Sequence, residues 1–157
     1  MTDFDKLLSF SKLIGVQVVQ KLEEDFEDEG DFDMANGVIT ICKGNKKSKR
    51  IVLALLHELG HAMDWIDRGR PSEGDYIDKV SSGDRNAVWT SEYIATGYMR
   101  QIHRMLKLNL SKKNLETAIT FDRWVADQYY KTGRYPSLRQ RESMYRNIRR
   151  AYEASES

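Results

Sequence analysis

His57-Glu58-Leu59-Gly60-His61 lies inside an apolar run, residues 51–66, and constrains this chain more than any other stretch. On an α-helix each residue turns by about 100° and rises by about 1.5 Å, so His57 and His61 stand about 40° apart and about 6 Å along the axis, on one face. Two imidazoles so placed can grip one metal ion. Val52, Leu55, Leu59, Ala62 and Ile66 fall roughly 140–220° from His57, on the opposite side. The spacing therefore predicts a helix with one buried face and a histidine face turned toward a cleft. Glu58, at about 100°, can take a proton from a water at the metal without being a ligand itself. This arrangement of residue types is the one used by zinc peptidases.

The 157 residues are the size of one domain, and a single domain over residues 1–157 is expected. A composition of 40% hydrophobic and 31% charged residues is that of a soluble globular protein, and a formal charge of +1 implies no obligate polyanion partner. One cysteine, Cys42, excludes an internal disulfide and a cysteine-based zinc site. No stretch has the apolar length to cross a bilayer, and residues 1–19 lack the basic start and cleavable apolar core of a signal peptide. A cytoplasmic protein with no membrane partner is the expectation.

Residues 3–14 read as a first helix, with Phe4, Leu7, Leu8 and Ser11 along one side, ended by Gly15. Residues 16–22 alternate as a strand does. Residues 23–33 carry eight acidic side chains and no basic one, and read as a solvated loop with only a faint calcium-loop echo at Asp25, Glu27 and Glu29. Asn36-Gly37 makes a turn before VITIC, residues 38–42, the strongest strand signal. A strand just ahead of the metal helix is expected to line the cleft and pair with extended substrate. Residues 43–50 form a basic loop, and Ser48 is a plausible start for the metal helix, which should run to about Arg68 and stop at Gly69 and Pro71. Residues 70–85 read as a polar loop. Asn86 or Asp84 opens a helix to about Leu108, Ser111 caps another to Lys131, and Ser137 caps a last one to about Ala154. Residues 131–150 hold seven basic side chains against one acidic, Glu142. A solvated surface, or one facing the acidic loop, is the expected role of this run, with nucleic acid or an acidic substrate the other reading.

A catalytic zinc site needs a third protein ligand. Asp67 lies six residues after His61, but a continuous helix puts it about 9 Å beyond His61 and about 120° round the axis. The zinc-peptidase class that uses this position turns the chain with a glycine where Asp64 stands here. Glu92 is better placed. On its own helix it stands at the edge of a stripe formed by Val88, Ala95, Met99, Ile102 and Leu106, where a carboxylate must be paired, bind metal or lean out to solvent. Ala95, Thr96 and Gly97 are small enough to let this helix lie close to another. His103, on the same side, is about 16 Å farther along, too far to share the ion.

Residues 57–65 (HELGHAMDW) resemble the metal helix of the anthrax lethal factor family, which includes the pro-pro endopeptidases and carries HExGHxxD. Residues 92–98 (EYIATGY) are similar to that family's third-ligand segment, a glutamate followed by two aromatic or apolar residues, alanine, and an aromatic two further on. The likeness spans residues 51–104, about a third of the chain. It implies that His57, His61 and Glu92 bind Zn2+, that Glu58 is the general base, and that Asp64 orients a ligand from behind. Two positions depart from the pattern. Where the family has a tyrosine that steadies the oxyanion, seven residues before the third ligand, this chain has Arg85; the implied donor is Arg85, or a tyrosine such as Tyr76 or Tyr93. Four residues after the ligand the family often has an acidic group, and here Thr96 takes its place.

Together these readings give an α+β fold, a mostly helical zincin-like domain with a small β-sheet, in which the HExxH helix packs against a glutamate-bearing helix. The expected chemistry is that of a gluzincin-type zinc metallopeptidase acting on a peptide or protein substrate. A zinc-stabilised binding domain would keep the histidines without needing Glu58. A DNA-associated or repressor-cleaving peptidase would keep the same site and use the basic C-terminal helix to find its target.

Overall fold

In the computed structural model, which describes residues 1–22, 30–43 and 48–155, the fold is built outward from β3 (Val38–Cys42) and α2 (Lys49–Asp67). β3 is the central strand: β1 (Gln17–Lys21) pairs with it in parallel and β2 (Gly30–Asp33) antiparallel, giving the order β1-β3-β2. Ile39 and Ile41 of β3 are fully buried, and with Leu55 and Leu59 of α2 and Phe4 and Leu7 of α1 (Asp3–Leu13) they form the centre of the core. Because a strand's side chains alternate, Phe32 of β2 falls on the same face and meets the Trp65 ring edge-on at 5.4 Å.

Beyond α2 the helices follow in layers. α4 (Arg85–Leu106) packs on α2, α5 (Lys112–Thr132) on α4, and α6 (Leu138–Ser155) on α5, while the short α3 (Asp75–Ser81) lies against α4. The fold is therefore α+β and mostly helical, with a small mixed sheet. No helix among the described residues is long and apolar enough to cross a membrane.

Local chemistry accounts for the boundaries. Asp84 and Ser111 cap α4 and α5 by accepting from the amides of Ala87 and Asn114, and Gly133 closes α5 in the left-handed region at φ 73°. Ser137 and Gln140 cap the start of α6 reciprocally, each accepting the other's amide. Ser48 occupies the cap position of α2 without a side-chain hydrogen bond.

Four expectations need correcting. Residues 30–33 are strand rather than loop, because Phe32 has an apolar face to fill and the backbone has β3 to pair with; Asp25, Glu27 and Glu29 lie outside the described residues. Residues 70–85 contain α3, whose seven residues include none that is buried. Lys49 and Arg50 belong to the first turn of α2, not to a loop. β3 has partners on both sides, so an incoming strand has no free edge there; β2 is an edge strand that packs on α2.

α2 is also more enclosed than a one-faced helix. Besides Val52, Leu55, Leu59 and Ala62, it buries Ile51, Ala54, Leu56, Gly60 and Trp65 between the sheet and α4. The helices meet at Gly60, where a Cβ would lie 2.3 Å from the Ala95 carbonyl oxygen. Ala95 makes this approach as its sequence suggested, whereas nothing lies within 4 Å of where a Gly97 Cβ would be. Gly60→Ala should therefore destabilise the protein by roughly 1–3 kcal/mol through overpacking, against a gain of about 1 kcal/mol in helix propensity. A melting temperature equal to or above the parent's would contradict this close approach.

Candidate metal centre

α2 and α4 bring three candidate ligands to one point. His57 Nε2 lies 3.0 Å from one Glu92 oxygen, His61 Nε2 lies 3.2 Å from the other, and the two Nε2 atoms are 3.2 Å apart. A tetrahedral zinc with bonds of about 2.0–2.1 Å sets its ligand atoms about 3.3–3.4 Å apart, close to each of these three separations. Among the described residues it is the group of His, Cys, Asp and Glu whose ligand atoms converge in this way.

Each imidazole is held from behind. His57 Nδ1 lies 2.9 Å from Asp122 Oδ2 on α5, and His61 Nδ1 lies 3.2 Å from Ser91 Oγ on α4. Asp122 can only accept there when ionised, and Ser91 can accept. Both histidines can thus carry their proton on Nδ1 and turn a bare Nε2 toward the centre, the tautomer a metal ligand needs. The donor set, two neutral imidazoles and a carboxylate, fits zinc.

The charges at the centre are strongly coupled. Burial opposes a charge on His57, but Asp122 and Glu92 outweigh it and push its pKa well above the usual histidine value; burial and Glu92 act in the same opposed way on His61, with a net rise. Burial likewise opposes ionisation of Glu92, yet His61 and His57 prevail and hold its carboxyl well below the usual range. Glu58 is buried at 8% exposure, and that burial raises its pKa despite the opposing pull of the two histidines. The start of β2 roofs it: a Cβ on Gly30 would lie 2.9 Å from Glu58 Cγ.

The other residues singled out in the sequence fall elsewhere. Asp67 is exposed at the last position of α2, which runs unbroken past Asp64. His103 meets the Leu110 carbonyl at 2.7 Å through Nε2. Asp64 is buried, but it accepts from Arg68 Nε at 3.0 Å and Tyr76 at 2.7 Å rather than from a histidine, so the orienting role expected of it belongs to Asp122 and Ser91. Arg85 is not brought to the centre. Its guanidinium lies where a Gly133 side chain would be, and Gly133 is eleven residues past Asp122, about 16 Å along α5. Tyr93 donates to Asp127 at 2.9 Å, and Thr96 accepts from Arg123 at 2.9 Å. Tyr76 lies against Asp64 of α2, and its phenol is held by that carboxylate.

Sequence reading missed Asp122 and Ser91. Asp122 left a signal: it falls in line with the buried Leu115, Ala118, Ile119 and Ala126 of α5, where a carboxylate needs a partner just as Glu92 does. Ser91 left none, since a small hydroxyl beside Glu92 satisfies many helix positions.

A zinc titration of three variants tests the ligand set. Glu92→Ala should weaken zinc binding sharply and lower the melting temperature of the loaded protein, because the ion joins two helices. Asp122→Ala should cost about 10–100-fold in affinity, and the exposed Asp67→Ala should change little. A large loss for Asp67→Ala with an indifferent Glu92→Ala would overturn the assignment.

The metal-free protein should also respond to pH. His57 and His61 titrate above their unfolded value of 6.5, so their pairing stabilises the fold fully below that value and is lost as pH rises through the folded values. Glu92 titrates below its unfolded value of 4.5, so its contribution is present above 4.5 and lost as pH falls. With chelator present, the melting temperature should decline as pH rises above 6.5, while the stabilisation by added zinc, which needs neutral imidazoles, grows over the same range. A flat difference between the two curves would contradict the coupling. Compared with known proteins, the chain matches no family model, no curated protein and no solved structure.

Proposed function

We propose that the protein is a zinc-dependent metallopeptidase that hydrolyses peptide bonds, with His57, His61 and Glu92 as ligands and Glu58 as general base. The observation that carries this reading is the convergence of the two Nε2 atoms on the Glu92 carboxylate, with a buried Glu58 one residue from His57. The motif likeness to the anthrax lethal factor family in residues 57–65 and 92–98 supports it. Bound zinc supplies Lewis acidity, polarising a scissile carbonyl and acidifying a water. Glu58 takes the proton of the attacking water and passes it to the leaving amine. Asp122 and Ser91 keep the imidazoles in the binding tautomer. The β2 edge beside Glu58 offers backbone groups to an extended peptide, which suits a peptide or protein substrate. A reducing, cytoplasmic setting suits the single buried thiol of Cys42.

A zinc-stabilised binding domain would need the same ligands but has no use for Glu58. Burying a carboxylate against β2 is costly for a fold, which favours the catalytic reading. Glu58→Gln separates the two. It keeps size and polarity while removing basicity, so it should retain zinc and melting temperature and lose hydrolysis of a peptide library by about 100-fold or more. A variant that cleaves like its parent would end the mechanism, and a parent that cleaves nothing would favour the binding domain.

A further inference from the structure

α6 is the outermost layer of the helical stack, and it spends its apolar side on α5: Ile148 is buried, Tyr145 meets Phe121 edge-on at 5.4 Å, and the Tyr152 hydroxyl lies 2.9 Å from Thr120 Oγ1. Taking Leu138 as zero, these residues lie at about 280–340°, so the outward face is centred near 120°. Arg139, Arg146 and Arg150 fall at about 80–120°, one above another, along about 16 Å of helix. All three are exposed, and none has a hydrogen-bond or ion-pair partner among the described residues. Arg149, which does have one, is paired with Glu153 at 3.1 Å. Expectation had this run either solvated or facing the acidic segment; its arginines on α6 are mostly exposed, and the described part of that segment, β2, packs on β3 and α2.

We propose that this arginine row is a docking surface for the phosphate backbone of a nucleic acid. Every basic residue of α6 is arginine, whose planar fork matches a phosphate in two hydrogen bonds where lysine offers a point charge. A straight row on a rigid helix suits a partner with charges repeated along a line. The outward face, from Glu142 at about 40° to Asn147 at about 180°, is polar apart from the small Ala154, and carries the three arginines with Glu142 and Glu153 beside them. A protein interface has an apolar core and a membrane-surface helix needs a free apolar face, and α6 has given its own to α5. Nucleic-acid interfaces, by contrast, are polar and strongly positive. The metal centre lies between α2, α4 and α5, so a strand held on the far side of α6 leaves it open.

The test is binding of the intact chain to a fluorescent duplex and to a single-stranded oligonucleotide of the same sequence, titrated at several salt concentrations. Three phosphate contacts predict a slope of log K against log salt of about −3 on duplex, with little sequence preference. Arg146→Gln alone should flatten the slope by about one, and the triple variant Arg139→Gln, Arg146→Gln, Arg150→Gln should abolish most of the salt dependence and weaken binding at least about tenfold at low salt. The triple variant should melt with the parent, since these side chains are exposed and make no hydrogen bond or ion pair among the described residues. No binding to either oligonucleotide at about 50 mM salt, or a triple variant that binds like the parent, would overturn the proposal. So would binding of phosphatidylserine vesicles or poly-glutamate in preference to both oligonucleotides.

Discussion

The backbone approach of α2 and α4 at Gly60 and Ala95 fixes the distance on which the candidate metal centre depends. Helices ordinarily pack with axes about 8–10 Å apart, set by the side chains between them. Here the glycine removes one side chain altogether, and the place where its Cβ would stand is 2.3 Å from the Ala95 carbonyl. His57 and His61 flank that glycine, and Glu92 precedes Ala95 by three residues. A carboxylate on the second helix then reaches both imidazoles at 3.0 and 3.2 Å without a loop to carry it. The same compactness keeps the histidines and Glu58 largely away from water, so their charges act on one another strongly.

That enclosure imposes a requirement on every acidic group nearby. Asp122 is answered by His57, Asp64 by Arg68 and Tyr76, and Asp127 by the Trp89 and Tyr93 donors. Glu116 is answered by a two-pronged Arg100 between α4 and α5. These pairs join α2, α4 and α5 through polar contacts as well as through the core, and each removes the penalty of an uncompensated buried charge. The pattern ends at α6, where three exposed arginines stand without partners among the described residues. On that outer helix Arg139, Arg146, Arg149 and Arg150 are exposed, and Arg141 is half-buried.

Much of the fold was legible because its signals are local. The helices containing the histidines and Glu92, their caps at Asp84, Ser111 and Ser137, and the VITIC strand follow from periodicity and capping chemistry, which need only neighbouring residues. α3 was not legible: its seven residues bury nothing, so no apolar period marks them, and Tyr76 is held through its ring under Arg68 at 3.6 Å and its hydroxyl on Asp64. β2 was obscured for the opposite reason. Its aspartates read as solvent, while its strand character rests on one aromatic, Phe32, and on hydrogen bonds to a strand that the sequence places later.

The sequence by itself determined that two histidines share a helical face beside a glutamate, and that a carboxylate thirty-one residues beyond His61 stands at the margin of an apolar stripe. Both are consequences of a helix turning about 100° per residue. Only tertiary structure decided that Asp122 and Ser91, rather than Asp64, hold the imidazoles, and that Arg85 lies over the Gly133 turn. These choices depend on which turn of one helix lies opposite which turn of another. That register is set by contacts between residues far apart in the chain, the closest of them at a glycine whose missing side chain leaves no periodic mark.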